Sequence, residues 1–474
     1  MGQEIASSHF SDADFDTFGA RLQHETDILA AWLAGGTLAS GPLTVGFEME
    51  IWLVDAGYSP APLIEPFLHA LDEPLVVPEL ATFNAEVNCA PRVLTGTVLT
   101  DLANDLFGIW RRCHGAATSL GAKTAMVGIL PTVQPDDLAL DNMTPRERYR
   151  ALNDRILALR HGRPLVLDID GEQPLHLERP DVMLEAAATS FQLHIKVPPE
   201  LAARVYNISK ILSAPMVAIT ANSPFLFGHR LWPETRIPLF EQAVAVGGSV
   251  LGERVNFGFR YAQRSIMETF IANLSRYPIL LPQLSDAPAE QLAHLRLHNG
   301  TIWRWNRPLI GFDDDGRPHI RIEHRVIPAG PTLVDSIANA ALYYGALKSL
   351  LDDPDPVEAA LPFPYARANF YAAARQGLQA SIHWLRGRPE PLGDVLQGDL
   401  LPRAHAGLAA LGIPASERHR WLSIMAKRIA ARQTGASWQQ AWVARYGPQM
   451  SALLGAYLAE QDRGAPVHEW PVGR

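Results

Sequence analysis

Cysteine is scarce in this sequence, because only Cys89 and Cys113 occur among 474 residues. Two cysteines cannot form a disulfide framework, and their spacing offers no cysteine-based metal site. No stretch reaches the ~18 uninterrupted apolar residues that a membrane-spanning helix needs. The first residues are polar and acidic, without the basic-then-apolar pattern of a secretion signal. A soluble, cytoplasmic protein is therefore the simplest expectation.

Excess positive charge is also missing. The formal net charge is −9 and the isoelectric point is near 6.0, which argues against a nucleic acid or an anionic membrane as the main partner. The glycine-rich phosphate loops GxxxxGK[ST] and GxGxxG are absent, and so are the GxSxG and HExxH motifs. If the protein handles nucleotide phosphate, metal ions and arginines must hold it.

Apolar residues make up 47% of the chain, enough for a sizeable core. Several short runs alternate polar and apolar residues, which favours an antiparallel sheet with one face buried. The predicted strands are Leu43–Val54, Phe83–Ala90, Lys123–Ile129, Pro164–Ile169, Ser190–Val197 and His319–Ile327. The predicted helices between them are Phe15–Leu33, Val98–Leu120, Pro145–His161, Pro199–Ser213 and Thr332–Leu351.

A proline-rich stretch, Asp352–Pro364, is a candidate linker. The chain beyond it is predicted to be helical throughout. The predicted helices there are Tyr365–Leu385, Leu400–Leu411, Ser416–Gln433 and Trp438–Gln461.

The run VGFEMEIWLV carries two carboxylates, Glu48 and Glu50, in apolar surroundings. Alternate residues of a strand share a face, so both glutamates lie opposite the apolar side chains of Phe47, Met49 and Ile51. Taken alone, such a pair is explained by a half-exposed strand.

The same alternation recurs in three more strands, each with a polar face of hydrogen-bonding or charged groups. Only His324 falls on an apolar side, where an ordinary core or edge histidine explains it. The three polar faces consist of Glu86 and Asn88, of Gln192, His194 and Lys196, and of Arg321, Glu323 and Arg325.

Four glutamates and one histidine on neighbouring faces are ligands of the types that bind hard cations. Mg²⁺ and Mn²⁺ prefer carboxylate oxygens, with water and substrate phosphate completing the shell. Four like charges facing one another would repel strongly without a compensating cation, and nearby arginines and lysine could neutralise phosphate. Four unrelated, solvent-exposed strand faces are the alternative.

The segment Asn299–Phe312 concentrates tryptophan and arginine, with Trp303 beside Arg304. Such a cluster can stack on a planar ligand such as adenine. An amphipathic strand that buries its tryptophans in the core explains it equally well.

Together these residues resemble the glutamate–cysteine ligase type 2 family, carboxylate–amine ligases of the glutamine-synthetase superfamily. The matching segments run in the family's order from about Leu43 to Asp335, roughly two thirds of the chain, and the tail also looks like bacterial members. The segments are GFEMEIWLVD, FNAEVNCAP, QLHI, ANSPFLFG, GTIWRWNRP and RIEHRVIPAGPT.

The resemblance implies an α+β fold, a glutamine-synthetase-like antiparallel sheet curved into a funnel and flanked by helices. Residues 1–351 would form the ATP-dependent catalytic domain, and 352–474 a helical C-terminal region packed on it. ATP would enter at one end of the funnel and the acid substrate at the other, with two or three Mg²⁺ or Mn²⁺ ions between them.

The resemblance also implies residue roles. Glu323 and Arg325 would be catalytic, with Arg325 supporting the transferred phosphate. The implied metal ligands are Glu48, Glu50, Glu86, His194 and Glu323. Phosphate or nucleotide contacts are expected from Arg325, Arg321, Lys196 and Arg304. Substrate contacts are expected from Gln192, Asn88 and Trp303.

The implied activity joins a carboxylic acid to an amine through an acyl phosphate, as in the γ-glutamyl amide synthesis that begins glutathione biosynthesis. The partners would be a small amino acid or other carboxylic acid and an amine, and the protein could be a homodimer. Two alternatives stay open: a phosphotransferase of the guanidino-kinase type, and a non-catalytic ligand-binding relative.

Overall fold

The centre of the molecule is an antiparallel sheet. In this computed structural model, which describes residues 4–5, 7–247, 252–385 and 387–472, eight strands form one sheet whose main path runs in the order β11-β12-β8-β1-β3-β2. Two further short strands, β4 and β5, pair with the ends of β1. The strands are β1 (Thr44–Val54), β2 (Val76–Pro78), β3 (Asn84–Asn88), β4 (Arg92–Val93), β5 (Lys123–Ala125), β8 (Phe191–Val197), β11 (Asn306–Phe312) and β12 (Pro318–His324).

The longest strand, β1, shows why the sheet has two different faces. Phe47, Met49 and Ile51 are buried, while the glutamates between them are half-buried on the other face. The end of the strand is buried on both sides, where the Trp52 ring stacks on Phe83 with ring centroids 5.5 Å apart. Burial of one apolar face therefore fixes the register of β1 and turns its carboxylates inward to the concave side.

Two long buried helices back the sheet. Nearly every side chain of α5 (Ala202–Thr220) and α9 (Leu333–Asp352) is buried. The Tyr344 hydroxyl lies 3.1 Å from the carbonyl oxygens of both Gly46 and His194, which share its single hydrogen. The other helices are α1 (Asp12–Gly35), α2 (Ile64–Leu71), α3 (Val98–Ser119), α4 (Glu147–Leu159), α6 (Arg236–Ala243), α7 (Met267–Arg276), α8 (Ala293–Gly300) and α10 (Val357–Ala360), followed by α11 (Phe363–Gln376), α12 (Leu392–Val395), α13 (Leu401–Ala410), α14 (Ala415–Ala431), α15 (Gly435–Tyr446) and α16 (Met450–Arg463).

Within the described ranges, three two-stranded sheets lie outside the central sheet. The predicted strand Pro164–Ile169 exists but pairs only with a strand that the sequence analysis missed, so it does not belong to the central sheet. The pairs are β6 (Leu165–Ile169) with β7 (Leu175–Arg179), β9 (Phe225–Leu226) with β10 (His229–Arg230), and β13 (Ser381–His383) with β14 (Pro389–Pro391).

The region after α9 is mainly helical, but it is less regular than predicted. The helix expected over Tyr365–Leu385 ends at Gln376, and β13 follows it. The helix expected over Trp438–Gln461 is divided in two at Gly447 and Pro448, because proline cannot continue the hydrogen-bond pattern of the preceding turn.

The candidate linker contains the short helix α10, and its residues contact the rest of the chain. Val357 and Leu361 are buried, and Arg403 forms an ion pair with Asp353 at 2.8 Å. No helix of the described ranges combines the length and the apolar character needed to cross a membrane.

Candidate active site

Strand register brings the polar faces of four strands together. Glu50 lies directly opposite Glu86, and Glu48 lies opposite both Asn88 and Gln192. The next row continues across the sheet, where His194 lies opposite Glu323 and Arg307 lies beyond it. Because directly opposite residues of antiparallel strands point to the same face, these side chains form one continuous polar surface.

One cluster of three side chains on this surface has the composition of a metal site. Glu48, His194 and Glu323 each offer a ligand atom, and all three atoms lie within 4.8 Å of one another. His194 Nε2 is 3.4 Å from Glu48 Oε1, and the buried Glu323 Oε1 is 3.5 Å from Arg325 Nε, but neither atom makes a hydrogen bond of good geometry with any residue that the structure describes. Two carboxylates and an imidazole with such unsatisfied atoms fit a divalent cation.

The charges of this cluster are balanced by arginines. Burial opposes ionisation of Glu323, but Arg307 at 2.9 Å and Arg325 at 3.5 Å outweigh it and hold its pKa below the ordinary value. Burial likewise opposes ionisation of Glu48, but His194 and Arg321 keep its pKa well below the ordinary value. Both carboxylates are therefore ionised at neutral pH.

A second group of carboxylates has the opposite electrostatics. Burial, followed by repulsion from Glu86, raises the pKa of Glu50 to about 8, and burial with repulsion from Glu50 raises the pKa of Glu79 to about 8. Burial and the neighbouring carboxylates place the pKa of Glu86 well above its ordinary value, and burial raises that of Glu185 to about 7. Four crowded carboxylates with too little positive charge favour a bound cation.

The polar surface is the wall of a cavity of about 430 Å³. Five arginines reach it from β11, from β12 and the residue that follows it, and from two helices. The apolar part of the wall includes Phe240, Phe270 and Leu281. The cavity therefore combines carboxylates for cations, arginines for anions and apolar walls that limit access of water. The arginines are Arg148, Arg296, Arg307, Arg321 and Arg325.

Most of the residues predicted from the sequence line this cavity or touch its lining. Gln192 donates to Glu50 Oε1 at 3.0 Å, and Asn88 donates to Glu86 Oε1 at 2.9 Å. His194 belongs to the three-residue cluster described above. The predicted residues that line the cavity are Glu48, Glu50, Glu86, Gln192, Trp303, Arg321, Glu323 and Arg325.

The structure does not bring Lys196 and Arg304 into the cavity. Lys196 Nζ is held by both oxygens of Asp313, at 2.7 and 2.6 Å. Arg304 is buried behind the cavity wall, where its guanidinium lies over the Tyr277 ring. Its neighbour Trp303 lines the cavity, so the tryptophan–arginine segment is divided between two environments.

Several cavity residues had no assigned role in the sequence analysis. Arg307 could have been found, because β11 pairs with β12 and its register places Arg307 opposite Glu323. Glu79, Arg148 and Glu185 come from loops and helices, where no local pattern marks them as inward-facing. Only the tertiary arrangement identifies these three.

Comparison with known proteins agrees with this architecture. The sequence profile of the glutamate–cysteine ligase family 2 matches residues 44–447, and no curated protein sequence matches significantly. Among solved structures, a glutamate–cysteine ligase from Francisella tularensis in complex with AMP superposes with a TM-score of 0.55 at 12% sequence identity, covering 92% of this chain and 91% of that chain. A bifunctional glutathione synthetase from Pasteurella multocida gives a TM-score of 0.49 at 11% identity, covering 88% of this chain and 52% of that chain.

The likeness to the Francisella protein concerns the fold, and it confirms the predicted fold class. A curled antiparallel sheet flanked by helices, with a helical C-terminal region, is what the sequence analysis expected.

Proposed function

The chain belongs to the glutamate–cysteine ligase family 2, and from that premise we propose that it is an ATP- and Mg²⁺-dependent carboxylate–amine ligase. Family membership supports the reaction class, and the observation that carries the proposal is the cluster of Glu48, His194 and Glu323 beside Arg325 in one cavity. The finer expectation is a γ-glutamyl amide bond, as a glutamate–cysteine ligase forms.

The reaction needs activation of the acid. A carboxylate does not react directly with an amine, because oxide would have to leave. Transfer of the γ-phosphoryl group of ATP to a carboxylate oxygen gives an acyl phosphate and ADP. The amine nitrogen then attacks the carbonyl carbon, the bond from carbon to the phosphate oxygen breaks, and the nitrogen loses a proton. Amide, phosphate and ADP are the products, and no protein nucleophile is required.

The site would hold two or three Mg²⁺ or Mn²⁺ ions at its two clusters of carboxylates. Glu48, His194 and Glu323 would hold one, while Glu50 and Glu86 would hold another. Bound Mg²⁺ supplies positive charge that neutralises and orients phosphate oxygens. The donor sets support this assignment because hard oxygen ligands dominate both.

The arginines of the cavity would bind the phosphoryl group. Arg325 Nη1 is buried and has no hydrogen-bond partner in the described part of the chain. The Arg325 guanidinium lies 5.4 Å from the centre of the Phe240 ring. An unsatisfied donor fixed in this way suits the charge that develops on a transferring phosphoryl group. Arg307 and Arg321 line the same cavity and would add to this contact.

Positioning of the two substrates falls to the remaining lining residues. Gln192 and Trp303 line the cavity and are our candidates for substrate contacts, and Asn88 would act by orienting Glu86. Lys196 and Arg304 lie outside the cavity and would have no role in the reaction. Holding acid and amine side by side could contribute several kcal/mol (roughly 7–11 at most) to lowering the barrier.

The test is ADP release by the purified protein with Mg²⁺ and ATP, screened against a matrix of amino acids and amines, with mass spectrometry of the products. We expect ADP only when an acid and an amine are both present, together with a new amide. A stable phosphorylated product without an amide would instead indicate a phosphotransferase. Metal binding without ADP formation for any pair would indicate a non-catalytic relative.

A further inference from the structure

A second, much smaller pocket lies outside the cavity described above and shares no lining residue with it. It is formed by the chain around residues 258–262, the helix α7 and Arg304, and its volume is about 30 Å³. This is roughly twice the space of 10–15 Å³ that holds one water molecule. We call it the Arg304 pocket.

Arg304 is the buried wall of this pocket. Its side chain is only 5% exposed, and its guanidinium forms no ion pair with a carboxylate of any residue that the structure describes. Nη2 donates to the Tyr277 hydroxyl at 3.4 Å, and the buried Nε has no hydrogen-bond partner among the described residues. A buried cation with an unsatisfied donor is costly unless an anion compensates it.

A second buried cation lies behind the pocket. Lys210 is fully buried, and its ammonium group donates to the carbonyl of Phe257. A Cβ atom at Gly258, a pocket residue with φ +93°, would lie 2.7 Å from Lys210 Nζ. Only glycine therefore lets the backbone approach the ammonium so closely. Within the described chain, Lys210 has no carboxylate partner either.

The charges of Lys210 and Arg304 act on Tyr206, which also lines the pocket. Burial opposes ionisation of this phenol, but Lys210 and Arg304 outweigh burial and lower its pKa below the ordinary value. Lys210 and Arg304 thus favour negative charge on a group that lines the pocket.

The rim adds further positive charge. Arg276 is exposed, its guanidinium lies over the Phe259 ring at 5.3 Å, and it forms no ion pair within the described ranges. Arg260 is paired with Glu268 at 3.1 Å, and both line the pocket. Three arginines and one glutamate thus face the same small volume, a net formal charge of +2.

We propose that the Arg304 pocket binds a small oxyanion, either phosphate or a carboxylate group, at a site separate from the active site. Guanidinium groups bind both with paired hydrogen bonds, and the volume excludes a nucleotide. Arg304 and Arg276 both line the pocket and would contact the anion, one from the buried wall and one from the rim.

The test compares inorganic phosphate binding to the full-length protein and to two arginine variants. Isothermal titration at constant ionic strength is run on wild type, on Arg276→Gln and on the matched control Arg264→Gln, whose exposed side chain is outside the pocket. We expect Arg276→Gln to weaken binding about tenfold or more, because it removes a charge-assisted hydrogen bond. Arg264→Gln should leave binding unchanged.

A parallel titration with acetate identifies the source of the oxyanion. A signal from phosphate or from acetate that is lost in Arg276→Gln supports the site and names its ligand. Wild-type protein that binds neither anion, or an Arg276→Gln variant that binds both as wild type does, would overturn the proposal. The arginines of the active-site cavity would also bind phosphate, but Arg276 does not line that cavity. Only the part of the signal that Arg276→Gln removes and Arg264→Gln keeps is therefore assigned to the Arg304 pocket, and failure of the ligase reaction would leave that comparison unchanged.

Discussion

Glu48 and Glu50 lie two residues apart on the same face of one strand, yet their electrostatic surroundings differ. Glu48 is near His194 and Arg321, which keep its pKa well below the ordinary value despite burial. Burial and the charge of Glu86 raise the pKa of Glu50 to about 8. One strand therefore supplies an ionised carboxylate to one cluster and a charge-crowded carboxylate to another, so the two positions should respond differently to neutralisation.

Glu50→Gln should separate function from stability. Ser190 N donates to Oε2 of Glu50 and Gln192 Nε2 donates to Oε1, and the amide keeps an acceptor for only one of them. Because relief of the repulsion from Glu86 offsets the lost hydrogen bond, we expect the free energy of unfolding to change by less than about 1 kcal/mol. We expect ADP formation to fall at least about a hundredfold, as when a group that stabilises the transition state is removed. Urea unfolding and ADP release measure the two effects.

Glu323→Gln is expected to abolish turnover as well, but with a cost in stability of about 1–3 kcal/mol, because Arg307 and Arg325 lose their buried carboxylate. Glu200→Gln, an exposed glutamate just after β8, is the control for both variants. Full activity in Glu50→Gln and in Glu323→Gln would refute the metal assignment.

Glu241, which is not one of the proposed metal ligands, should make the stability of the fold depend on pH. Burial raises its pKa to about 7 from the ordinary value of 4.5, although Trp305 Nε1 and the Tyr371 hydroxyl donate to it. The unfolded chain therefore releases its proton at lower pH than the folded chain. The stability that protonated Glu241 contributes is fully present below pH 4.5 and is lost as pH rises to about 7.

Glu241→Gln should remove this loss. The free energy of unfolding of the variant minus that of wild type should increase by about 1–2 kcal/mol from about pH 5 to about pH 8. Partial solvent contact of Glu241 makes this change smaller than the full pKa shift would give. Urea unfolding at the two pH values measures it. Equal pH dependence of the two proteins would show that Glu241 titrates normally.

The residues of the site divide into those that strand alternation predicts and those that it does not. Glu48, Glu50, Glu86 and Glu323 were identifiable because a charged residue with apolar neighbours on a strand must point away from the core. Glu185 lies in a short 3₁₀ segment where no period defines a face, and its role depends on packing between distant parts of the chain. Sequence patterns therefore predict the sheet side of the site better than its opposite wall.

At the scale of secondary-structure elements, the helices α9 and α13 pack very closely behind the sheet. α9 and α13 approach so closely at Gly345 and Gly407 that a Cβ atom at Gly407 would lie 1.9 Å from the Gly345 carbonyl oxygen. The packing of α13 against α9 thus depends on two glycines, although glycine weakens each helix locally.

Gly407→Ala should lower the free energy of unfolding by at least about 2 kcal/mol, because the helices must move apart. Gly115→Ala is the matched control, since Gly115 is in a helix and its Cβ would meet no atom within 4 Å. We expect that substitution to stabilise the protein by about 0.5–1 kcal/mol. Equal effects of the two substitutions in urea unfolding would show that the contact is unimportant.

Helix ends lie close to the ends that local sequence signals predict where the chain is at the surface, and they differ from the predicted ends where the chain is buried. The capped helix α1 begins at Asp12 after the Ser11 side-chain cap, close to its predicted start. The predicted helix Pro199–Ser213 instead continues through Pro215 to Thr220, since every residue from Val205 onwards is buried. Tertiary packing there outweighs the cost of an internal proline.

At the scale of the whole molecule, buried hydrogen bonds join the C-terminal helices to the part of the chain that contains the central sheet. Arg428 Nη2 forms an ion pair with Asp335 at 2.7 Å, both side chains being almost fully buried. The Asn222 amide donates to the Tyr457 hydroxyl at 2.8 Å, and Gln461 donates to the Met126 carbonyl at 2.9 Å. The partners in these contacts are 93, 235 and 335 residues apart in the sequence, so no local pattern could have predicted them.

These links predict that residues 1–351 and 352–474 unfold together. Arg428→Met leaves Asp335 buried without its cation, which should cost about 3–5 kcal/mol. Because the pair joins both regions, hydrogen exchange should show a similar loss of protection in β1 and in α14. Arg463→Met is the control. Arg463 is largely exposed, and its ion pair with Glu460 should contribute less than about 1 kcal/mol to the free energy of unfolding. Loss of protection confined to α14 in Arg428→Met would instead identify the C-terminal region as a separate unit, able to unfold while the sheet and its carboxylates stay in place.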